Sequence, residues 1–272
     1  MKSKLQSILG MGALTLALNA NAQSVFNGLR GPTNFQIDDR AGYSSKESQA
    51  GQTTETTGNN FLLKYWNGTN SGLFGFVNVP YKKVESGTLE SEGLGDVTFG
   101  VGPRFETRIG EAKLGILSYA GASLATGDEK EKPSLGTGRD DFKAGILGTL
   151  LSGSKKYEAD FGLDYLQTKG RKVSNEINGG IVLGGKVHEN LRFVAGPVFN
   201  YKEGGENDSD YSSSGRLNLR FTPEKGSAIA EVLGNCHFEL WYDRFIDGKG
   251  ASAPKENNTI TLIGRLNLGK TK

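Results

Sequence analysis

Alternation with a period of two governs most of this sequence. Val97, Phe99, Val101, Pro103 and Phe105 make one apolar face, and Asp96, Thr98, Gly100, Gly102 and Arg104 make the other. Tyr157, Ala159, Phe161, Leu163 and Tyr165 alternate in the same way with Glu158, Asp160, Gly162 and Asp164. The pattern returns where Leu217, Leu219 and Phe221 oppose Arg216, Asn218 and Arg220, and where Ile177, Ile181, Leu183 and Val187 oppose Glu176, Asn178 and Lys186. In 191–202 the polar face of Arg192, Gly196, Asn200 and Lys202 is diluted by Val194 and Val198. Successive side chains of a strand point to opposite faces, so this is sheet with one apolar side and one polar side. No stretch beyond residue 22 sustains the i, i+3, i+4, i+7 spacing of an amphipathic helix.

About twelve strands of ~9–14 residues follow, a length that crosses a bilayer when tilted. They are predicted near 33–46, 59–68, 71–83, 94–107, 112–124, 140–151, 156–168, 175–187, 190–202, 211–222, 227–246 and 257–269. In the first, Asp39 interrupts the face of Phe35, Ile37, Ala41 and Tyr43. In the eleventh, the phase changes near Cys236, which predicts a bulge or a short turn at Gly234-Asn235. Connections alternate in length. Segments 51–59, 85–93, 125–139, 168–175, 203–210 and 247–257 are long and polar; 67–70, 109–111, 152–154, 188–190 and 223–226 are short. Outer-membrane barrels pair short periplasmic turns with long outer loops in this way.

A secreted β-sandwich would also alternate. Against it stand charges in mid-strand, at Arg104, Lys143, Asp160, Arg192 and Arg216, which suit a wet lumen. Aromatic residues near strand ends (Tyr65, Tyr81, Phe105, Phe142, Tyr157, Tyr165, Phe199, Tyr201, Tyr211, Phe221 and Tyr242) are candidates for the two interface girdles. The reading is therefore all-β: a transmembrane antiparallel up-and-down barrel.

Composition narrows the class further. Hydrophobic residues make 36% of the 272, glycine 40, and the formal charge is +2. That near-neutral balance gives no basis for nucleic-acid binding, and a lone Cys236 excludes an intrachain disulfide framework. Residues 1–22 read as a secretory signal: Lys2 and Lys4, an apolar run from Ile8 to Leu18, and the small-x-small site Ala20-Asn21-Ala22. Residues 23–32 are expected to be a periplasmic segment and 33–272 the barrel. No later apolar run is long enough for a transmembrane helix.

Isolated motifs have plain explanations. Gly264 to Thr271 matches the phosphate-loop spacing G-x-x-x-x-G-K-[ST], with no helix after it to supply a dipole. Asn207-Asp208-Ser209-Asp210 and Asp128-Glu129-Lys130-Glu131 lack the spacing of a calcium loop and read as solvated charge. Asn67-Gly68-Thr69 reads as a turn. Cys236, His237 and His188 lack a metal-ligand spacing, so neither metal nor cofactor is expected. A lipolytic barrel would need a serine beside His188 or His237, with Glu239 as a candidate orienting group for the latter.

Two blocks carry a family resemblance. Gly93-Leu94-Gly95-Asp96-Val97-Thr98-Phe99-Gly100 is followed by Arg104-Phe105; Leu124-Ala125-Thr126-Gly127-Asp128 is followed by Leu135-Gly136-Thr137-Gly138-Arg139-Asp140-Asp141-Phe142. These resemble the G-L-G-D-x-T-x-G, P-T-G-D and L-G-T-G-x-x-D-F/V blocks of outer-membrane transporters of the phenol-degradation MetA-pathway type, with Ala125 in place of the proline. The resemblance implies passage of small, often hydrophobic or aromatic, molecules. The residues themselves predict that small side chains between Gly93 and Gly102 leave a roomy lumen, and that the loop framed by Thr126-Gly127-Asp128 and Gly136-Thr137-Gly138 can fold inward.

The functional expectation is an outer-membrane channel of the Gram-negative type, exported by its signal and not an enzyme, with membrane lipid and a small solute as its partners. Its lumen candidates are Asp96, Arg104, Lys143, Glu158, Asp160, Asp164, Glu176, Lys186, Arg192, Arg216, Arg220 and Arg265. A structural or adhesive barrel without an open pore is the alternative, and a lipolytic barrel a third reading. The sequence leaves the oligomeric state open.

Overall fold

In the computed structural model, residues 33–48, 51–136, 138, 140–168, 175–203, 209–224, 226–233, 236–249 and 254–268 are described. The expected signal (1–22) and the segment 23–32 lie outside them, as do Arg139, Asn207, Asp208, Gly234 and Asn235. Thirteen strands run β1 (Thr33–Glu47), β2 (Thr53–Asn67), β3 (Ser71–Ser86), β4 (Leu89–Leu94), β5 (Val97–Ile109), β6 (Ala112–Leu124), β7 (Asp141–Leu151), β8 (Tyr157–Thr168), β9 (Asn175–His188), β10 (Leu191–Lys202), β11 (Asp210–Phe221), β12 (Cys236–Lys249) and β13 (Glu256–Asn267). Helix α1 (Ala228–Leu233) precedes β12.

The lower half of β3 pairs with β5, from Ser71↔Phe105 to Asn78↔Thr98, and its upper half with β4, from Tyr81↔Leu94 to Ser86↔Leu89. β4 and β5 thus form one stave, kinked at Gly95-Asp96, and thirteen strands make a closed twelve-stranded antiparallel barrel. Closure comes from β1 pairing with β13, from Gln36↔Asn267 to Glu47↔Glu256. It removes every edge that hydrocarbon could not satisfy.

The alternation read from the sequence sets which way each side chain faces. Phe99, Val101 and Phe105 lie exposed on the outside, while Thr98, Gly100 and Arg104 are buried within. Val194 and Val198 face inward with Arg192, so the mixed phase of that strand is an interior of mixed polarity. On the outside Phe35 stacks on Tyr65 at 4.8 Å, and Tyr65, Tyr81, Phe105, Phe142, Tyr157, Phe199, Tyr201, Tyr211 and Phe221 are exposed, with Tyr165 and Tyr242 half-buried.

Three local expectations need correction. The segment 51–59 is not all loop, because β2 begins at Thr53 and its threonines extend the ladder with β1. The segment 85–93 is a hairpin turning at Gly87, whose φ of +62° a residue with a Cβ rarely adopts. The eleventh strand does not start at 227: Ala228–Leu233 is helix, capped where Ser227 Oγ accepts from Ala230 N at 3.3 Å. The bulge or short turn expected at Gly234-Asn235 falls outside the described residues; the β11–β12 register shifts between Ser213 and Ser214. Connections at the end that carries 68–70, 110–111 and 189–190 are otherwise short. We call this the short-turn end, the periplasmic end in outer-membrane barrels.

Candidate functional site in the barrel lumen

Alternation delivers polar side chains from nearly every strand to one enclosed space, and closure buries them. Burying a charge is costly unless it is paired, and here pairing runs from strand to strand. Asp38 on β1 meets Arg40 at 3.0 Å, Lys64 on β2 at 2.7 Å and Arg265 on β13 at 2.8 Å. Arg265 reaches Glu239 on β12 at 2.8 Å, Glu239 accepts from Arg220 on β11 at 3.1 Å, and Arg220 reaches across to Glu158 on β8 at 3.3 Å. Arg192 on β10 ends the chain, at 2.7 Å from Glu158. Glu239 is its hub: Trp241 Nε1 donates to it at 2.7 Å and Asn218 Nδ2 at 3.1 Å. Arg104 donates to Gly68 O at 3.0 Å and pairs with Glu106, which also holds Lys113. Apart from Asp38 and Arg40 at the middle of β1, these groups lie towards the short-turn end of their strands.

Nearer the long-loop end the pattern is looser. Arg216 binds Asp243 through two 2.6 Å contacts and lies 4.7 Å over the Trp241 ring. Asn178 and Asn200 both donate to Glu176, at 3.1 and 2.7 Å. Tyr119 donates to Asp164 with Lys143 buried nearby, whereas Thr149 donates to Asp160 close to the short β7–β8 turn.

Over β2, β3, β6 and β7 the wall also carries an apolar cluster, set among buried charges such as Lys64 and Lys143. Leu62 and Trp66 on β2, Phe74 on β3, Leu117 and Tyr119 on β6 and Leu147 on β7 form one buried cluster, with Phe76 packed on it. The glycines of β5 do not leave open room here. The Phe76 and Tyr119 rings meet edge to face at 5.2 Å, and a Cβ on Gly100 would stand 2.5 Å from Phe76 and 3.0 Å from Tyr119. The space glycine vacates is filled by aromatic rings. In and around this cluster Asn60 Nδ2 and Oδ1, Asn78 Oδ1 and Trp66 Nε1 are buried with no hydrogen-bond partner among the described residues.

The two sequence blocks meet at the long-loop mouth. Asp96 accepts from Gly127 N at 3.0 Å. Thr126 Oγ1 donates to Gly95 O at 2.8 Å and accepts from Val97 N at 2.8 Å. Asp140 accepts from Ala125 N at 3.0 Å. Leu135, 3% exposed, lies against Gly93 and Gly95. A Cβ on Gly127 would fall 2.6 Å from Leu135 O, so glycine there is what lets the two sides of the loop approach.

The structure therefore brings Glu158, Arg192, Arg220 and Arg265 into one network. It places Arg104, Lys143, Asp160, Asp164, Glu176 and Arg216 in separate interior clusters. Asp96 serves the kink and loop, and Lys186 is exposed at the short-turn rim. The network's other members, Asp38, Arg40, Lys64 and Glu239, were not among the candidates; their signal was inward parity on strands whose outward face was clear. His237 Nε2 is turned towards Arg265 (3.2 Å) and Glu239 (3.5 Å), not towards a serine, and His188 is exposed at the end of β9. Asn67 Oδ1 accepts from Leu73 N at 2.8 Å, the turn role read from the sequence. Among the described residues no group of His, Cys, Asp or Glu is arranged to hold a metal ion.

No protein-family model matches the chain, and no curated protein does. Its structure resembles an outer membrane channel from Pseudomonas putida F1, at 13% identity and a TM-score of 0.68, over 88% of this chain and 96% of that one. It also resembles the translocator domain of the autotransporter NalP from Neisseria meningitidis, at 12% identity and a TM-score of 0.53, over 92% and 94%. The β-domain of the Bordetella autotransporter BrkA aligns at 8% identity and a TM-score of 0.51, over 87% and 99%. At such identities the likeness speaks for the fold, and that fold is the outer-membrane β-barrel.

Proposed function

We propose that this chain is an outer-membrane channel through which small, partly apolar or aromatic solutes diffuse, of the kind its two sequence blocks resemble in phenol-degradation transporters. One observation carries the reading: beside its ion-paired groups the lumen wall carries a buried apolar cluster with a few unpartnered polar atoms around it. Apolar lining with a small number of placed polar groups is how proteins receive organic ligands. Cations and acids neighbour one another along the wall, with five cations to three acids in the network that runs from Lys64 to Arg192. The fold it shares with the channel from Pseudomonas putida F1 agrees with this reading.

Liposome swelling tests it. Phenylalanine and glutamine are both zwitterions of similar size, so charge does not separate them. Faster swelling with phenylalanine is the expected result; equal rates would remove the apolar selectivity. A second reading, a barrel without an open pore, is favoured by the full burial of Arg40, Lys64, Trp66 and Arg265 across the interior. Folded protein that gives neither swelling nor conductance steps in planar bilayers would establish that reading in place of the first.

A further inference from the structure

Asp39 occupies the wrong side of the barrel wall. Along β1 the outward residues are Phe35, Ile37, Asp39, Ala41 and Tyr43. Phe35 and Tyr43, 48% and 39% exposed, mark the two edges of the lipid belt. Asp39 lies four residues from each, about 14 Å along the strand. It is exposed; Arg244, exposed on the outward side of β12 between Tyr242 and Ile246, stands nearer the long-loop end. Asp39 has no hydrogen bond or ion pair among the described residues. Its chain neighbours Asp38 and Arg40 are locked inward by the network, so alternation holds Asp39 out.

A lone ionisable group at mid-depth in hydrocarbon is costly, and such groups pair with others where they occur. The surroundings suit a close partner. Across the ladder Asp39 faces Gly264 on one side and Phe61 on the other, and Ala41 is the next outward residue. Small residues at Gly264 and Ala41 let another surface approach.

We propose that the β1–β13 face is a homodimer interface, with Asp39 of one protomer against Asp39 of a second copy. The argument is symmetry and chemistry together. Two copies inserted in the same sense are related by a two-fold axis along the membrane normal, so each outward residue meets residues of its own depth. Among the described residues, carboxyl is the only charged chemistry offered outward at the depth of Asp39. Carboxyl groups are self-complementary once they share a proton: one donates and the other accepts.

Cysteine cross-linking tests this in native outer membranes. Cys236, buried and the only cysteine, is first replaced by serine. Oxidation of Asp39→Cys is expected to give at least fivefold more dimer than Ile146→Cys, an exposed outward position on β7, with heat-modifiable gel mobility certifying that both barrels fold. Sedimentation in mild detergent supplies the second readout. Asp39→Asn, which can still donate and accept, should retain the dimer, and Asp39→Leu should weaken it tenfold or more. Equal cross-linking at the two positions, a monomeric wild type, an Asp39→Leu dimer as tight as wild type, or cross-linking of Asp39→Cys to a different polypeptide would each overturn the proposal.

Discussion

Glu239→Gln is the sharpest probe of the lumen. Glu239 is 2% exposed and accepts from two guanidinium groups, Arg265 at 2.8 Å and Arg220 at 3.1 Å, besides Trp241 and Asn218. The amide keeps the shape and one acceptor oxygen but loses the charge and the second acceptor. In the chain from Lys64 to Arg192, five cations (Arg40, Lys64, Arg192, Arg220, Arg265) now face three acids (Asp38, Glu158, Glu239), and the variant leaves two. Removing one partner of a buried pair costs about 3–5 kcal/mol when the other is stranded. Here Arg265 keeps Asp38 and Arg220 keeps Glu158, so the loss falls below that range, at about 2–3 kcal/mol, near the value of one or two charged hydrogen bonds. Urea unfolding of the barrel refolded in lipid, followed by tryptophan fluorescence, measures it. Arg220→Gln in the same background should recover part of the loss, because it removes one of the cations left in excess. A single variant within about 0.5 kcal/mol of wild type, or a double variant whose effects simply add, would refute a coupled network.

Other outcomes follow from the same geometry. Gly127→Ala, whose Cβ would stand 2.6 Å from Leu135 O, should unseat the 125–140 loop; faster limited proteolysis there, with heat modifiability unchanged, would register it. Trp66→Ala removes the largest ring of the apolar cluster and should raise single-channel conductance, at about 3–5 kcal/mol of stability if the space stays empty. Arg216→Lys loses the two-point contact with Asp243 and stacking on Trp241, and a drop of about 1–2 kcal/mol in unfolding free energy is expected. Ser227→Ala removes the cap of α1, a helix with no buried residue, and should leave the unfolding midpoint within error while altering backbone exchange at 228–233.

The staves were legible because lipid outside and water within impose opposite demands on alternate residues. In 157–165 the two faces separate cleanly, and β8 spans Tyr157–Thr168. β1 was harder to read, since Asp38-Asp39-Arg40 puts three polar residues in succession; only the ladder shows that two face inward and one does not. Helix α1 escaped notice because six residues complete too few turns to show a period. The ion network was invisible as a network. Arg265 and Asp38 are 227 residues apart, and their contact depends on the register of β1 against β13, which no local pattern encodes. The G-L-G-D and T-G-D blocks could be noticed as motifs, but their mutual docking through Asp96 and Thr126 is a property of the folded loop.

The β1–β13 pairing also has a kinetic side. Gln36 Nε2 bonds Asn267 Oδ1, 231 positions away along the chain, and Leu268 N reaches Phe35 O. Until these strands zip together the nascent sheet has two raw margins, and Arg265 has Glu239 but lacks Asp38. Cylinder formation therefore also completes the buried charge network, so an assembly intermediate halted before that step should stay sticky and readily digested.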